Sequence, residues 1–522
     1  MPSWKWGAIA GVERAPKAGE KAAKQLNRVK HLSWHDNSEE SPERAAMAGQ
    51  AGSAAKVDIA ASPVATGQGI SPVMEKLSAY MSEAGSRALP VEVVAKAKEH
   101  ILDTLAAMVS GCDLLPGRHA IDFVRAYGGE KVATVVASNV VCGPIEAALA
   151  NGMLAHSDET DDEAPLGVHS GCAVVPAVLA TGERFGIGGT RFIRAVTLGY
   201  DLPPRIILAL GGRDVMSPSH KRRVYRPVAA GFGAAAAAGC AASLNAQQMR
   251  WLLDYTAQQA ASLPAWRRDT QHIEKAFVFG GMNARSAVTS ALIVQSGWTG
   301  IPDIFSGPGN FFQAYSPEAD PAELIDELGN RYEVTQTNVK KWPVGSPLQS
   351  PLDALQILQK RHPFNADQVR RVTVRIATRQ AAMVNNRVMP DISLQHIVAV
   401  MLLNKTVTFR SANDEALMKD PAVLRQRAKV ELIPDEALQR LMPQREAIVE
   451  VTLSNGTRLI ERVEAYRGTV KNPMGRDEVV TKARDLMTPV LGAAKSAKVI
   501  EKVFALETVK DIREFRPLLQ RP

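Results

Sequence analysis

A run of small residues, GFGAAAAAGCAASL at 231–244, constrains the fold of this chain more than any other feature. Glycine and alanine let neighbouring backbones approach closely. The uncharged stretch around this run is too weakly hydrophobic to span a bilayer. We therefore predict a helix at the centre of a helical domain, in a protein without a transmembrane segment.

Apolar residues recur at helical spacing before and after this run. Pro90, Pro144 and Pro176 stand where helices are expected to begin, because proline is tolerated in the first turn. The adjacent prolines Pro203 and Pro204 are expected to break or kink a helix predicted over 192–210. The region from about residue 71 to residue 334 therefore predicts successive helices.

The pattern changes after about residue 335. Residues 371–376 alternate between apolar and polar, which is a strand signal. Asn455-Gly456 lies between two further strand patterns and predicts a hairpin. Helical patterns occur between these strands, so this region is predicted to be an α+β unit. From Pro473 the chain is predicted to be helical again.

These patterns predict a mostly α fold class, with a large all-helical domain built from both ends of the chain and a smaller α+β lid domain. Residues 1–70 have no sustained apolar period and are predicted to be a disordered or loosely attached N-terminal extension. The helical domain is predicted to comprise residues 71–334 and 469–522, and the lid residues 335–468. A cleft between the two domains would be the natural substrate site.

Charge and cysteine content narrow the function classes. The formal net charge is +8, but basic and acidic residues are interspersed and no aromatic-basic RNA motif is present. This favours a small anionic substrate over nucleic acid. The four cysteines form no CxxC pair, so we expect reduced, buried thiols in a cytoplasmic protein. No membrane partner and no resident metal are predicted.

The segment HSDETDDEAPLGVHSG at 156–171 is the richest in chemistry, with two histidines and five carboxylates. It can be interpreted as a solvated acidic loop, which is the usual fate of a charge run. It can also be a Mg²⁺ site like that of all-helical terpenoid synthases, although no second acidic motif is evident. A third interpretation is acid–base catalysis by His169, with Glu159, Asp161 or Asp162 holding its ring.

The string ANGMLAHSDETDD followed by HSG resembles the MmgE/PrpD superfamily, which includes 2-methylcitrate dehydratase. The variant EAPL before His169 is similar to the fungal cis-aconitate decarboxylases. Other similarities follow in order along residues 71–510: a K-x-x-x-x-G segment at Lys275, a lysine-aromatic-proline segment at 340–343 and Asn-Pro-Met at 472–474.

The resemblance assigns roles residue by residue. It implies four catalytic residues, namely His169, Asp161, Glu159 and His396, and four substrate-binding residues, namely Lys275, Lys340, Asp162 and Glu163. Arg226 stands where the superfamily usually has a histidine and is predicted to bind a further carboxylate or phosphate of the substrate. From the sequence pattern alone, Lys275 could equally be an exposed helix lysine and Lys340 part of a charged linker. His272 is interpreted as structural.

The resemblance implies a cofactor-independent lyase that forms a homodimer and acts on a small polycarboxylate. We expect a carbon–oxygen lyase that eliminates water as 2-methylcitrate dehydratase does. Decarboxylation of a cis-aconitate-type acid and epimerisation of a dicarboxylate remain alternatives on the same scaffold. The chain departs from the superfamily at Arg226 and Val278, where histidines are usual, and this leaves open a catalytically silent binding protein. A Mg²⁺-dependent isoprenoid enzyme is the alternative from a different class.

Overall fold

The computed structural model describes residues 69–212 and 225–521. The predicted N-terminal extension therefore lies almost wholly outside the described residues.

The helices are, in chain order, α1 (Pro72–Glu83), α2 (Val91–Gly111), α3 (Leu115–Tyr127), α4 (Pro144–Ala155), α5 (Gly171–Phe185), α6 (Gly189–Ala209), α7 (Tyr225–Ala241), α8 (Ala246–Gln258), α9 (Ile273–Ala276), α10 (Met282–Gln295), α11 (Phe311–Tyr315), α12 (Ser346–Arg361), α13 (Thr378–Val384), α14 (Leu394–Asn404), α15 (Phe409–Ala412), α16 (Pro421–Arg427), α17 (Glu436–Gln439), α18 (Arg476–Leu491), α19 (Ala493–Phe504) and α20 (Arg516–Leu519). The strands are β1 (Ala133–Thr134), β2 (Val141–Cys142), β3 (Val369–Ala377), β4 (Val430–Asp435), β5 (Ala447–Leu453) and β6 (Arg458–Val463).

The helices from the two ends of the chain share one hydrophobic core. Its buried side chains come from residues 74–339 and from residues 474–519. The small-residue helix α7 packs against α5, α6, α8 and α10, which is the central position that its composition predicts. At Gly233, an added Cβ would lie 2.3 Å from the Gly199 carbonyl oxygen of α6. Only glycine fits this crossing, so the two backbones meet directly.

Of the break or kink predicted at Pro203 and Pro204, the break is wrong, because α6 continues through both prolines. Proline has no N–H, so Pro203 leaves the Gly199 carbonyl without its usual helical donor. That carbonyl faces Gly233 of α7, and the Pro203 ring also lies against Gly233. The absence of side chains at the two glycines makes room for the ring and keeps the helix intact.

The α+β part has a hydrophobic core of its own, formed by buried side chains between Trp342 and Tyr466. Its sheet has the strand order β4-β3-β5-β6. Strand β3 pairs antiparallel with β5 and parallel with β4, and β5 and β6 form the predicted hairpin. Gly456 in the turn has φ 88°, a backbone conformation that glycine adopts without strain. Strand β4 was not predicted, since it is an edge strand that contains Pro434.

The mostly α fold class, with a helical part from both chain ends and an α+β part, is confirmed. Residues from 68 onward cluster as one compact unit. The domain boundaries proposed from the sequence stay predictions.

Within the part of the chain that the structure describes, one helical stretch, Ile273–Gln295, is long and apolar enough by composition to cross a membrane. However, 67% of an 18-residue apolar segment within it is buried inside the protein, and α10 packs against α4, α5, α7 and α8. Such burial is typical of a core helix. The cytoplasmic location expected from the sequence stays a prediction.

Candidate active site

The acidic segment of the loop between α4 and α5 is buried. Each residue from His156 to Glu163 is at most 5% exposed. Helix α4 leads into this loop and packs closely on the π-helical turn Phe277–Gly281, where Gly152 and Gly280 meet backbone to backbone. The interpretation as a solvated acidic loop is therefore wrong, because the surrounding helices enclose the carboxylates.

The carboxylates of the loop turn to separate partners. The contacts are Asp158 with Thr160 and Asn413, Glu159 with Lys275, Asp161 with His156 and His169, Asp162 with His100 and Tyr200, and Glu163 with Arg445 and Ser346. A magnesium site needs several carboxylate oxygens around one point. Because the side chains diverge, this geometry argues against the Mg²⁺-dependent alternative.

Another group could in principle hold a metal ion. His156, Asp161 and Cys172 offer ligand atoms within 4.8 Å of one another. The Asp161 carboxylate already accepts hydrogen bonds from two imidazoles. Burial, followed by the charges of Asp161 and Asp162, raises the pKa of the Cys172 thiol well above its usual value. The protonated thiol already has a protein partner, because it donates to the His169 carbonyl oxygen at 3.4 Å.

Asp161 lies at the centre of a hydrogen-bonded group with His156 and His169. Its Oδ2 lies 3.0 Å from Nδ1 of His156 and 3.1 Å from Nδ1 of His169. Burial acts to raise the pKa of Asp161, but His156, His169 and Lys340 outweigh it and hold this pKa well below the usual range. The carboxylate is therefore ionised and engages Nδ1 of His169. The other ring nitrogen of His169 is left for a ligand.

His156 is the second imidazole that contacts Asp161. It is fully buried, and its ring lies 4.7 Å from that of His169 and stacks on Phe279 at 5.0 Å. Burial lowers the pKa of His156 well below its ordinary value. A neutral imidazole at this place donates to Asp161 through Nδ1 and adds no competing positive charge.

Lys275 and Lys340 converge on Glu159 from distant parts of the chain. Lys275 forms an ion pair with Oε1 of Glu159. Lys340 donates to the Glu159 carbonyl at 2.7 Å and lies 3.7 Å from Oδ1 of Asp161. Burial, followed by the charge of Lys340, lowers the pKa of Lys275 to about 7. Lys275 lines the cavity, whereas Lys340 is 0% exposed and lies behind the carboxylates, contrary to its predicted substrate contact.

Glu163 joins the loop to the α+β part. Its Oε1 accepts from Nη2 of Arg445 at 2.6 Å, and its Oε2 contacts both Arg445 and Ser346. Burial opposes ionisation of Glu163, but Arg445 outweighs it and keeps the pKa of this carboxyl far below its usual value. Glu163 therefore stays charged and holds Arg445 in the wall of the cavity.

Asp162 does not reach the cavity, contrary to the substrate-binding role predicted for it. It accepts from Tyr200 at 2.6 Å and from the Gly171 N–H at 3.1 Å, and it lies 2.7 Å from Nδ1 of His100. These contacts fill its acceptor positions inside the helical core. Asp162 therefore anchors the end of the loop at the start of α5, next to His169.

His396 is also absent from the cavity. It is 0% exposed in α14, which packs within the α+β part. Burial, followed by the charge of Arg427, lowers the pKa of His396 to about 4. Helix α14 is apolar on almost every side, so its single histidine is enclosed by the core. The catalytic role predicted for His396 gains no support from this position.

A cavity of about 310 Å³ lies between the helical part and the α+β part. Five of the site residues proposed from the sequence line this cavity, namely Glu159, Glu163, His169, Arg226 and Lys275. The Arg226 guanidinium lies over Gly167, where an added Cβ would approach it to 2.5 Å. Gly167 has φ 82°, so glycine is required there both for backbone conformation and for room.

Several residues near the cavity were missed by the sequence reasoning. Arg445 and Ser346 line it but belong to no motif. His272, interpreted as structural, has φ 62° and its ring lies 5.4 Å from that of His156. Asp391 is buried, and within the described part of the chain its Oδ2 has no hydrogen-bond partner. The positive φ of His272 is visible only in the structure.

Two family models match this chain. The MmgE/PrpD N-terminal domain matches residues 75–324, and the MmgE/PrpD C-terminal domain matches residues 342–506.

Three proteins among the similar sequences illustrate the relationship. The cis-aconitate decarboxylase-like protein oryM of Aspergillus oryzae is 25% identical over 86% of this chain and 97% of its own length. The cis-aconitate decarboxylase of Aspergillus terreus is 23% identical over 87% of this chain and 96% of its own length. The cis-aconitate decarboxylase of Mus musculus is 25% identical over 82% of this chain and 90% of its own length.

Proposed function

The chain belongs to the MmgE/PrpD family, and on that premise we propose that it is a lyase that releases carbon dioxide from an unsaturated polycarboxylate of the cis-aconitate type. One observation carries the proposal. His169 lines a cationic cavity while the buried, ionised Asp161 holds its Nδ1. This arrangement supports a histidine that exchanges a proton with a bound anion.

The charge of the cavity fits a substrate with several carboxylates. Six basic residues and three acidic residues line the cavity. The acidic residues are Glu159, Glu163 and Asp269, and the basic residues are Arg226, Arg267, Lys275, Arg379, Arg387 and Arg445. Arginine binds carboxylates through two parallel N–H groups, so it fixes their orientation as well as their charge. We infer that Arg226 and Lys275 bind substrate carboxylates beside His169.

The proposed reaction needs only groups that the chain supplies. The bond between a methylene carbon and its carboxylate breaks, and carbon dioxide leaves. The electron pair shifts through the adjacent double bond to the far carbon, where a second carboxylate delocalises the developing charge. His169, protonated at Nε2, gives its proton to that carbon, and solvent restores the proton afterwards. Cations fixed near the second carboxylate stabilise the charge as it develops.

The carbon–oxygen lyase reaction expected from the sequence stays a prediction. The same imidazole could remove a proton next to a carboxylate while a hydroxyl group leaves. No contact in the cavity favours this reaction over decarboxylation. Both can be followed in one assay, because they consume different acids and only one releases carbon dioxide.

The test is turnover of cis-aconitate in deuterated water, followed by NMR and by trapping of carbon dioxide. We expect one deuterium in each product molecule, because the incoming proton comes from His169 in exchange with solvent. A parallel sample with 2-methylcitrate tests the dehydratase reaction. If neither acid is consumed, and no deuterium enters either one, the lyase proposal fails.

His169→Asn is the matching variant. It should lower kcat by at least about 10²-fold, which is the usual effect of losing a general acid–base group. His362→Asn serves as the control, because His362 is exposed at the end of α12 and lies outside the cavity lining. Equal activity of the two variants would contradict the role of His169.

A further inference from the structure

The backbone directly before Asp161 is held by two buried lysines. Lys340 donates from Nζ to the Glu159 carbonyl at 2.7 Å, and Lys482 of α18 donates from Nζ to the Thr160 carbonyl at 2.9 Å. Both lysines are at most 9% exposed. Two consecutive carbonyl groups of the loop thus each accept from a buried ammonium group. Lys482 takes no part in the proposed reaction steps, so its position needs another reason.

Asp103 of α2 holds the ammonium group of Lys482. Its Oδ1 lies 2.6 Å from Nζ of Lys482, and its side chain is 1% exposed. A buried ammonium group needs an anionic partner, because burial removes its hydration. The group has three N–H donors, so it can pair with Asp103 and still donate to the Thr160 carbonyl. The lysine therefore connects α2 and α18 to the backbone of the loop.

One face of α2 carries both connections to the loop. His100 and Asp103 are three residues apart and so lie on the same side of the helix. His100 lies 2.7 Å from Oδ2 of Asp162, while Asp103 holds the lysine that contacts Thr160. The two residues that flank Asp161 are therefore both connected to α2. Asp161 lies between two fixed points of the backbone.

The contacts of Asp161 leave little room for displacement. Its Oδ2 lies 3.0 Å from Nδ1 of His156 and 3.1 Å from Nδ1 of His169. Hydrogen bonds from N–H to oxygen span about 2.7–3.2 Å, so both distances are near the upper end of this range. Groups of an active site must be held within about 0.5 Å of their working positions. A shift of this size in the Asp161 backbone would break one of the two contacts.

We propose that Lys482 is a positioning residue of the active site. It acts through Thr160 and Asp161 to keep the ring of His169 in place, and Asp103 in turn holds Lys482. Among the described residues, those that line the cavity do not include Lys482, so it has no contact with the substrate. This inference rests on the proposed function and adds a residue on which the same reaction depends.

The test compares Lys482→Met with Lys98→Met. Lys98 is the matched control, because it is also 9% exposed, donates to the Phe504 carbonyl at 2.8 Å and pairs with Glu507, but makes no printed contact with the loop. We expect Lys482→Met to lower kcat by about 10- to 100-fold with a much smaller change in KM, because the groups that bind substrate stay in place. Lys98→Met should lose stability but keep its kcat.

A kinetic double-mutant cycle separates positioning from a general loss of structure. If Lys482 acts through Asp161, its effect depends on an intact Asp161 carboxylate. Adding Lys482→Met to Asp161→Asn should therefore lower kcat by less than about twofold. A double variant whose loss equals the product of the two single losses would show independent effects and overturn the inference.

The outcomes separate this inference from the proposed function. If the wild type decarboxylates cis-aconitate and the two lysine variants have equal kcat, the inference is overturned and the lyase proposal stands. If no acid is turned over, the lyase proposal fails, and crystal structures of both variants decide the inference. We expect Oδ2 of Asp161 and Nδ1 of His169 to lie more than about 3.5 Å apart in Lys482→Met only. An unchanged contact in both variants overturns it.

A second variant serves if Lys482→Met does not fold. Asp103→Asn keeps the size of the side chain and removes the charge that holds the lysine. Glu507→Gln is its control, because Glu507 pairs with Lys98 in the same way. The same measurements apply, and equal kcat together with unchanged Asp161 contacts in these two variants overturns the inference.

Discussion

Asp161 controls the chemistry of the site at the scale of single residues. A carboxylate has only acceptor positions, so both imidazoles that contact it present an Nδ1–H. This fixes the tautomer of His169 and directs its other ring nitrogen to the ligand. Lys340 lies 3.7 Å from Oδ1 of Asp161 and helps to keep the carboxylate ionised. The role of Asp161 is therefore to position His169, without contact to the substrate.

We expect Asp161→Asn to lower kcat on the order of 10²- to 10⁴-fold with a smaller change in KM. The amide group has one acceptor oxygen and a donor NH₂, so it cannot hold both imidazoles in the same tautomer. Steady-state kinetics with kcat and KM resolved would measure this effect. The exposed Asp367→Asn serves as the control. An unchanged kcat in the first variant would remove Asp161 from the mechanism.

Lys275 should make substrate capture depend on pH. Burial and the neighbouring Lys340 lower the pKa of Lys275 to about 7, so its amine loses its charge as pH rises through this value. We expect kcat/KM, which reports ionisations of the free enzyme, to fall on the alkaline side of about pH 7. Lys275→Arg retains the charge at all these pH values and should shift this limb upward. If kcat/KM falls at the same alkaline pH in the wild type and in Lys275→Arg, the ionisation belongs to a group other than Lys275.

At the scale of elements, glycines decide how the helices around the site meet. Gly152 and Gly280 bring α4 against the π-helical turn after Lys275, and Gly199 and Gly233 bring α6 against α7. An added Cβ at Gly152, Gly280 or Gly233 would lie less than 3 Å from backbone atoms of the other element. The contact between Gly152 and Gly280 places the end of α4, which leads into the loop that carries His169, against the turn that follows Lys275.

Two glycines of α7 provide a matched test of this packing. Gly233→Ala would place its Cβ 2.3 Å from the Gly199 carbonyl, and we expect the free energy of unfolding to fall by about 1–3 kcal/mol. Gly231→Ala, on the same helix, would meet only the Asn283 side chain at 3.1 Å. That variant should be neutral or slightly stabilising, because alanine favours helix. Chemical denaturation would measure both, and equal destabilisation would contradict the packing argument.

At the scale of the whole molecule, the site is divided between the two parts of the fold. The helical part supplies His169, Glu159 and Lys275, while the α+β part supplies Arg445 and Ser346. The buried pair of Glu163 and Arg445 connects them. The homodimer implied by the family resemblance stays a prediction.

Breaking this pair should destabilise the protein as a whole. We expect Glu163→Gln to lower the free energy of unfolding by about 3–5 kcal/mol, because it leaves the Arg445 charge without its buried partner. Glu450→Gln is the control, since its pair with Arg458 lies at the surface and contributes much less. Thermal unfolding at neutral pH would measure the difference, and equal losses in the two variants would contradict the prediction.

The same pair predicts how stability responds to acid. Arg445 keeps the pKa of Glu163 below its value in the unfolded chain, which is about 4.3. The stabilisation is therefore fully present above that pH and is lost as pH falls below it. The gap in melting temperature between the wild type and Glu163→Gln should therefore narrow as pH falls from about 4 to about 3, but it should not close there, because the pKa of Glu163 in the folded protein lies far below this range. A constant gap between them at low pH would contradict this assignment.

The sequence by itself determined the local structure and the chemical character of the site. Proline and glycine positions predicted the helix starts of α2 and α4 and the β5–β6 hairpin, because they restrict φ and backbone hydrogen bonding locally. The acidic loop before His169 was visible as a motif. Strand β4 and the continuous α6 were missed, since neighbouring elements override local preference there.

Only the tertiary structure decided which of these groups act together. Asp161 and Asp162 are adjacent in sequence, yet one contacts His169 and the other is held by His100 and Tyr200. Lys340 and Lys275 have similar sequence signals, but only Lys275 lines the cavity. No sequence motif marked Arg445 as a residue of the site. The physical reason is that burial and charge pairing depend on partners far away along the chain, which local residue patterns do not specify.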